Sequence, residues 1–244
     1  MHANRQTAAA KNKKRITASK VIRWSGIAAM GSGILFIAIQ AIHPLDVITS
    51  VRTTQWAVAH YMGIAMGFLG LLGITGLYAR QVEESGRLGL VAYLLLGLFY
   101  SLTTAFQFVE AFITPLLVTG APAFVESFLG IVTNAPSEMN LGALPLLNQL
   151  NGFVGYMLGG LLFGIATFRA GVLPRWAGGL LAFGTVLPLL ASSLVAHPYD
   201  RIFAVPVGLA LAWMGYALLS ERQEPASQTI SAVEGAQTRQ IEAR

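Results

Sequence analysis

Residues 88–112 read LGLVAYLLLGLFYSLTTAFQFVEAF, a run that carries a single charge, Glu110, close to its far end. At about 1.5 Å per residue, a helix of this length exceeds the ~30 Å hydrocarbon core of a bilayer. Within and just past the run, Tyr93, Tyr100, Thr103, Gln107, Glu110 and Thr114 recur at intervals of seven, three, four, three and four, which is one face of a helix. Polar groups left unsatisfied in hydrocarbon are costly, so such a stripe must turn toward protein or water. The stretch predicts a membrane-crossing helix with neighbours on its polar side.

Working outward, five more runs of comparable length and apolarity lie at about 24–43, 56–78, 149–168, 176–196 and 202–219. The chain of 244 residues is 55% hydrophobic and 11% charged, with a mean hydropathy of +0.62. Soluble domains carry about a quarter charged residues, so a soluble fold would leave large apolar surfaces uncovered. The expected fold class is an all-α integral membrane protein, a six-helix transmembrane bundle spanning residues 21–219. Residues 1–20 form a basic tail and residues 220–244 a polar one, both expected to be disordered and cytoplasmic. The first run is long enough to span and has no Ala-x-Ala site after it, so it is expected to stay as an anchor.

Charge placement tests this map. Seven of the sixteen Lys and Arg fall between Arg5 and Arg23. With the N-terminus inside, Arg80, Arg87, Arg169, Arg175, Arg222, Arg239 and Arg244 are also cytoplasmic, and only Arg52 and Arg201 lie outside. That asymmetry is the positive-inside pattern and predicts both termini in the cytoplasm. The net charge of +5 is explained by anionic headgroups, and no nucleic-acid partner is expected. With no cysteine there is no disulfide, thiol redox or iron–sulfur chemistry. No lysine follows Lys20, so no buried Schiff base can form.

Residues 113–148 lack Lys and Arg, contain four prolines, and are expected to form an outer loop, with 123–132 as a short interfacial or re-entrant helix. Gly63, Gly67 and Gly70 in the second span, and Gly152, Gly155 and Gly159 in the fourth, form small-residue faces for close helix packing. The third span is expected to sit between them.

Threading direction gathers polar residues at the outer ends of the spans: Gln40 and His43, His60, Gln107 and Glu110, Gln149 and Asn151, and His197. His-Pro-x-Asp occurs twice there, at 43–46 and 197–200. An ionisable group inside a span is a functional candidate, so His60, Gln107, Glu110 and Asn151 are expected to line an outward-facing pocket for a small molecule or partner. No nucleophile elbow or phosphate loop is present, and the leading expectation is a non-enzymatic binding, sensing or transport-accessory bundle. A second reading is a metal-dependent hydrolase or lipid-modifying enzyme in which His43, His60, Glu110 and His197 hold zinc. A third is a purely structural subunit.

The stretch LNGFVGYMLGGLLFGIATFRAGVLPRWAGGLLAFGTVLPLL, residues 150–190, pairs two Gly-rich spans through an Arg…Leu-Pro-Arg-Trp turn. Over about a sixth of the chain it resembles the DUF4386-like group of bacterial multi-span membrane proteins of unknown function. The resemblance implies a bacterial inner-membrane protein and brings no activity or catalytic residue with it.

Overall fold

The computed structural model describes residues 16–133, 135–191, 195 and 199–221, and among these there is no strand. Helix α1 is Ala18–Ile42, α2 is Thr54–Arg80, and α3 runs from Val82 to Leu117 through a π-helical segment at Val109–Ile113. Helix α4 is Pro122–Thr133 and α5 is Leu144–Ala170, π-helical over Leu150–Leu158. Helix α6 is Arg175–Ala191; a 3-10 turn, Tyr199–Ala204, leads into α7, Val205–Ser220. Among the described residues five helices are long and apolar enough to cross a membrane: α1, α2, α3, α5, and α7 taken with its preceding turn from Arg201.

Local chemistry sets the boundaries and moves several from their expected places. Thr17 caps α1, its hydroxyl accepting from the Lys20 N–H at 3.4 Å, so helix begins at Ala18 inside the stretch expected to be a disordered tail. Thr53 caps α2 in the same way through the Trp56 N–H at 3.2 Å. A single non-helical residue, Gln81, separates α2 from α3, so Glu83 to Arg87 belong to α3 and not to an open loop. Gly86 breaks the helical dihedrals there (φ 55, ψ −147), a conformation open to glycine, and regular helix resumes near the expected start at 88. The expected loop at 113–148 is largely helical. Its first residues extend α3, its last extend α5 back to Leu144, and α4 lies between them. Residues 1–15 and 222–244, expected as tails, lie outside the described residues.

The helices pack as a closed ring in chain order. Each of α1, α2, α3, α5, α6 and α7 touches the next, and α7 returns to α1. The seam between first and last is made by glycines: Gly26 backs onto Gly215, and Gly33 onto Gly208, backbone to backbone. The seven-residue spacing on both helices, in opposite senses, is that of an antiparallel pair. Arg23 closes one end by donating from Nε to the Leu219 carbonyl at 2.6 Å.

Helix α3 lies between α2 and α5 as expected, but its two faces are used differently. Gly63 and Gly70 of α2 receive Gln107 and Tyr100 from the polar stripe, and Gly67 receives Thr104. Gly155 and Gly159 of α5 instead meet the apolar side at Phe99, Leu95 and Leu96. The outside of the ring exposes large apolar side chains, among them Ile34, Phe68, Leu94, Phe153, Phe183 and Leu209. Such a surface suits lipid.

Candidate functional site

The site grows from one proline. Pro115 has no N–H to give, and its ring would crowd the carbonyl four residues back in a regular helix. Helix α3 answers by widening to the π form, so that the Thr114 N–H bonds to Val109 O and not to Glu110 O. The Glu110 carbonyl is thereby left without a backbone donor, at a buried position. Two side chains take it up: Trp56 donates from Nε1 at 2.8 Å, and the Thr114 hydroxyl donates at 2.9 Å. Trp56 is fully buried, so this bond ties the start of α2 to the distorted turn of α3.

The same contact positions His60, one turn beyond Trp56. Its Nδ1 stands 2.7 Å from the Trp56 carbonyl. A carbonyl only accepts, so Nδ1 carries a proton. Nε2 then faces the Glu110 carboxyl, with Oε2 at 3.3 Å, while Gln107 donates from Nε2 to that same oxygen at 3.2 Å. His60 Nε2 and Glu110 meet at ion-pair distance but without hydrogen-bond alignment. His60 is fully buried and Glu110 nearly so.

His43 is the residue after α1, and its ring centroid lies 5.0 Å from that of His60. Its Nδ1 is likewise spent on a carbonyl, Pro44 O at 2.8 Å. Burial pushes the His43 imidazole below the usual histidine range, against the pull of nearby Asp46. Arg201, on the turn before α7, fastens this end of α1. It donates to the carbonyls of His43 and Pro44 at 2.7 and 3.2 Å, and to Asp46 Oδ2 at 2.9 Å.

These groups surround a cavity of about 600 Å³ in the middle of the ring, at the end where α1 finishes and α2 begins. Gln40, His43, Asp46, Thr103, Gln107, Glu110 and Arg201 make its polar wall, and Phe36, Ile39, Met66, Phe99 and Tyr156 its apolar one. Phe36 and Tyr156 stack with centroids 6.1 Å apart, and Phe99 packs against Tyr156 at 5.2 Å. Both π-helical segments border the cavity, one presenting Glu110 and the other Gly152 and Tyr156. Widened turns of this kind concentrate at functional sites.

Of the four residues expected to line the pocket, Gln107 and Glu110 do so. His60 sits behind Glu110. Asn151 turns into a side cavity of about 100 Å³ between α3, α4 and α5, where it exchanges hydrogen bonds with Thr103 at 3.1 and 3.3 Å. Of the expected zinc ligands, His43, His60 and Glu110 are neighbours, and His197 lies outside the described residues. Among the described residues no three His, Asp or Glu side chains converge as a metal-holding group. The sequence reading missed the parts played by Trp56, Arg201 and Tyr156. The sequence held no direct signal for the first: in a regular helix Pro115 would deprive Ala111 O, and only the π-helical shift moves the unmet carbonyl to Glu110. No protein-family model, curated protein or solved structure matches the chain.

Proposed function

We propose that the chain is a six-span bacterial inner-membrane protein, both termini cytoplasmic, whose cavity opens to the outside and binds a small molecule in a sensing or transport-accessory role. The 14-to-2 division of Lys and Arg supports the orientation. Helix α6, with 17 described residues, holds the fifth place in the ring and is read as the remaining span. The resemblance of residues 150–190 to the DUF4386-like group supports the choice of membrane. One observation carries the binding reading: a cavity of ligand size has a polar wall on one side and an aromatic wall on the other. A purely structural bundle has no use for an ionisable pair placed at the edge of such a space.

The test is a stability screen of the detergent-purified full chain against small polar and amphiphilic molecules, beside an Ile39→Trp variant that fills the cavity. Stabilisation of the wild type by one chemical class, absent in Ile39→Trp, supports binding. Stabilisation by nothing, together with a more stable Ile39→Trp, makes the bundle structural.

One observation favours the zinc reading as a second. His43 and His60 both commit Nδ1 to a backbone carbonyl, the arrangement that orients imidazoles for metal ligation. Elemental analysis of the wild type beside His60→Ala decides it. About one zinc per chain, lost in the variant, moves a metal-dependent hydrolase to the front.

A further inference from the structure

Within the proposed binding role, the chemical class of the ligand can be read from which atoms on the cavity wall are already engaged. Most donor groups already have a partner, and the amides of Gln40 and Gln107 each keep one further N–H. Gln40 gives Nε2 to Phe36 O at 3.0 Å, Gln107 gives Nε2 to Glu110, His43 gives Nδ1–H to Pro44 O, and Arg201 is turned onto His43, Pro44 and Asp46. Thr103 is paired with Asn151. The acceptors are not spent. Among the described residues, nothing donates to His43 Nε2 or to the second carboxyl oxygen of Glu110; Gln107 Oε1 also lacks a partner but is sealed against Gly63 of α2, out of a ligand's reach. Tyr156 is the exception, since a hydroxyl can play either part. A wall of unmet acceptors asks for a ligand that donates, because a buried acceptor left unpaired costs more than a made bond returns.

Charge narrows the class further. Arg201 is paired with Asp46, and His60 Nε2 stands 3.3 Å from the Glu110 carboxyl, so each acid already faces a base. Both pairs are closed, and an ionic ligand would bring an uncompensated charge into a space of low dielectric. At the other wall Phe36, Phe99 and Tyr156 offer ring faces and edges.

We propose that the cavity selects a neutral ligand with a hydroxyl donor on an aromatic body, the hydroxyl directed to His43 Nε2 and Glu110 and the ring to the Phe36–Tyr156 wall. Such a ligand satisfies the acceptors without disturbing either charge pair. Carboxylates and ammonium ions of the same size are disfavoured.

Four fragments with a common reporter test this: 4-fluorophenol, 4-fluoroanisole, 4-fluorobenzylammonium and 4-fluorobenzoate, titrated onto the detergent-purified full chain and followed by fluorine NMR. The phenol is expected to bind saturably and at least about tenfold more tightly than the anisole, which differs by the loss of its donor. His43→Phe should erase that preference while leaving the helical circular dichroism unchanged. Equal binding of phenol and anisole overturns the donor selectivity and leaves the binding role standing. Tightest binding by the ammonium or the carboxylate overturns the neutrality. Absence of saturable binding by all four, with Ile39→Trp more stable than wild type, overturns both this proposal and the role on which it rests.

Discussion

The widened turn of α3 yields a prediction that does not depend on any ligand. Glu110 O receives only the Trp56 indole and the Thr114 hydroxyl, because the Thr114 N–H has moved to Val109 and residue 115 is proline. Trp56→Phe or Thr114→Val alone removes one donor and leaves the other, at a cost of about 1 kcal/mol in hydrogen bonding. Trp56→Phe adds a packing loss from the missing ring. Both together strip a buried carbonyl, and the penalty for that is about 1–3 kcal/mol beyond the first bond. The double variant should therefore be worse than the sum of the singles by about 1 kcal/mol or more. Adding Pro115→Ala restores an N–H at the right place and should recover part of the loss. Unfolding in mixed micelles followed by circular dichroism reads all four variants on one scale. Additive singles, or no recovery from Pro115→Ala, would refute the assignment of that carbonyl as the point tying α2 to α3.

Three further outcomes can be checked. A Cβ at Gly33 would run into the Gly208 carbonyl, whereas one at Gly97 meets nothing within 4 Å. Gly33→Ala should cost about 1–3 kcal/mol by overpacking, and Gly97→Ala should be neutral or slightly stabilising in the same unfolding assay. Asp46→Asn removes the charge from a pair whose side chains are 6% and 13% exposed. It should cost about 1–3 kcal/mol and raise hydrogen exchange over residues 199–204 before it affects α2. Because the chain has no cysteine, single cysteines report topology cleanly. In intact cells Ser137→Cys should react with a membrane-impermeant maleimide and Glu84→Cys should not; the reverse pattern would invert the proposed orientation.

How much of this was legible in one dimension differs from feature to feature. Five of the six expected spans were, because length and apolarity decide whether a helix can cross and need no tertiary contact. Their ends were less so: Thr17 and Thr53 are capping residues that extend α1 and α2, and both stand outside the apolar runs. Depth along each span was legible too, which is why His43, His60, Gln107 and Glu110 come out at one level. Azimuth was not. Asn151 is at the right height and faces Thr103 in the side cavity, and His60 is at the right height behind Glu110. Arg201 reads as an ordinary loop cation until the ring closes and brings it to His43 and Asp46, far away in the chain. The π-helical turns depend on which carbonyl loses its donor and on whether a neighbouring helix can replace it, and the second condition is purely three-dimensional.

The glycine seam also sets an order of events during synthesis. Helix α1 is made first and α7 last, and Arg201 emerges 158 residues after the His43 carbonyl that it will hold. At about 5–20 residues per second, the nascent chain spends roughly 8–30 seconds with the ring open. During that interval Glu110 is already joined to α2, but Gly26 and Gly33 have no partner and the cavity has no rim on the α7 side. A chain stopped short of residue 201 would carry most of the wall residues but lack Arg201 and Ala204 at the rim. Closure of the cavity therefore waits on the last helix, and until then the backbone at Gly26 and Gly33 stays uncovered.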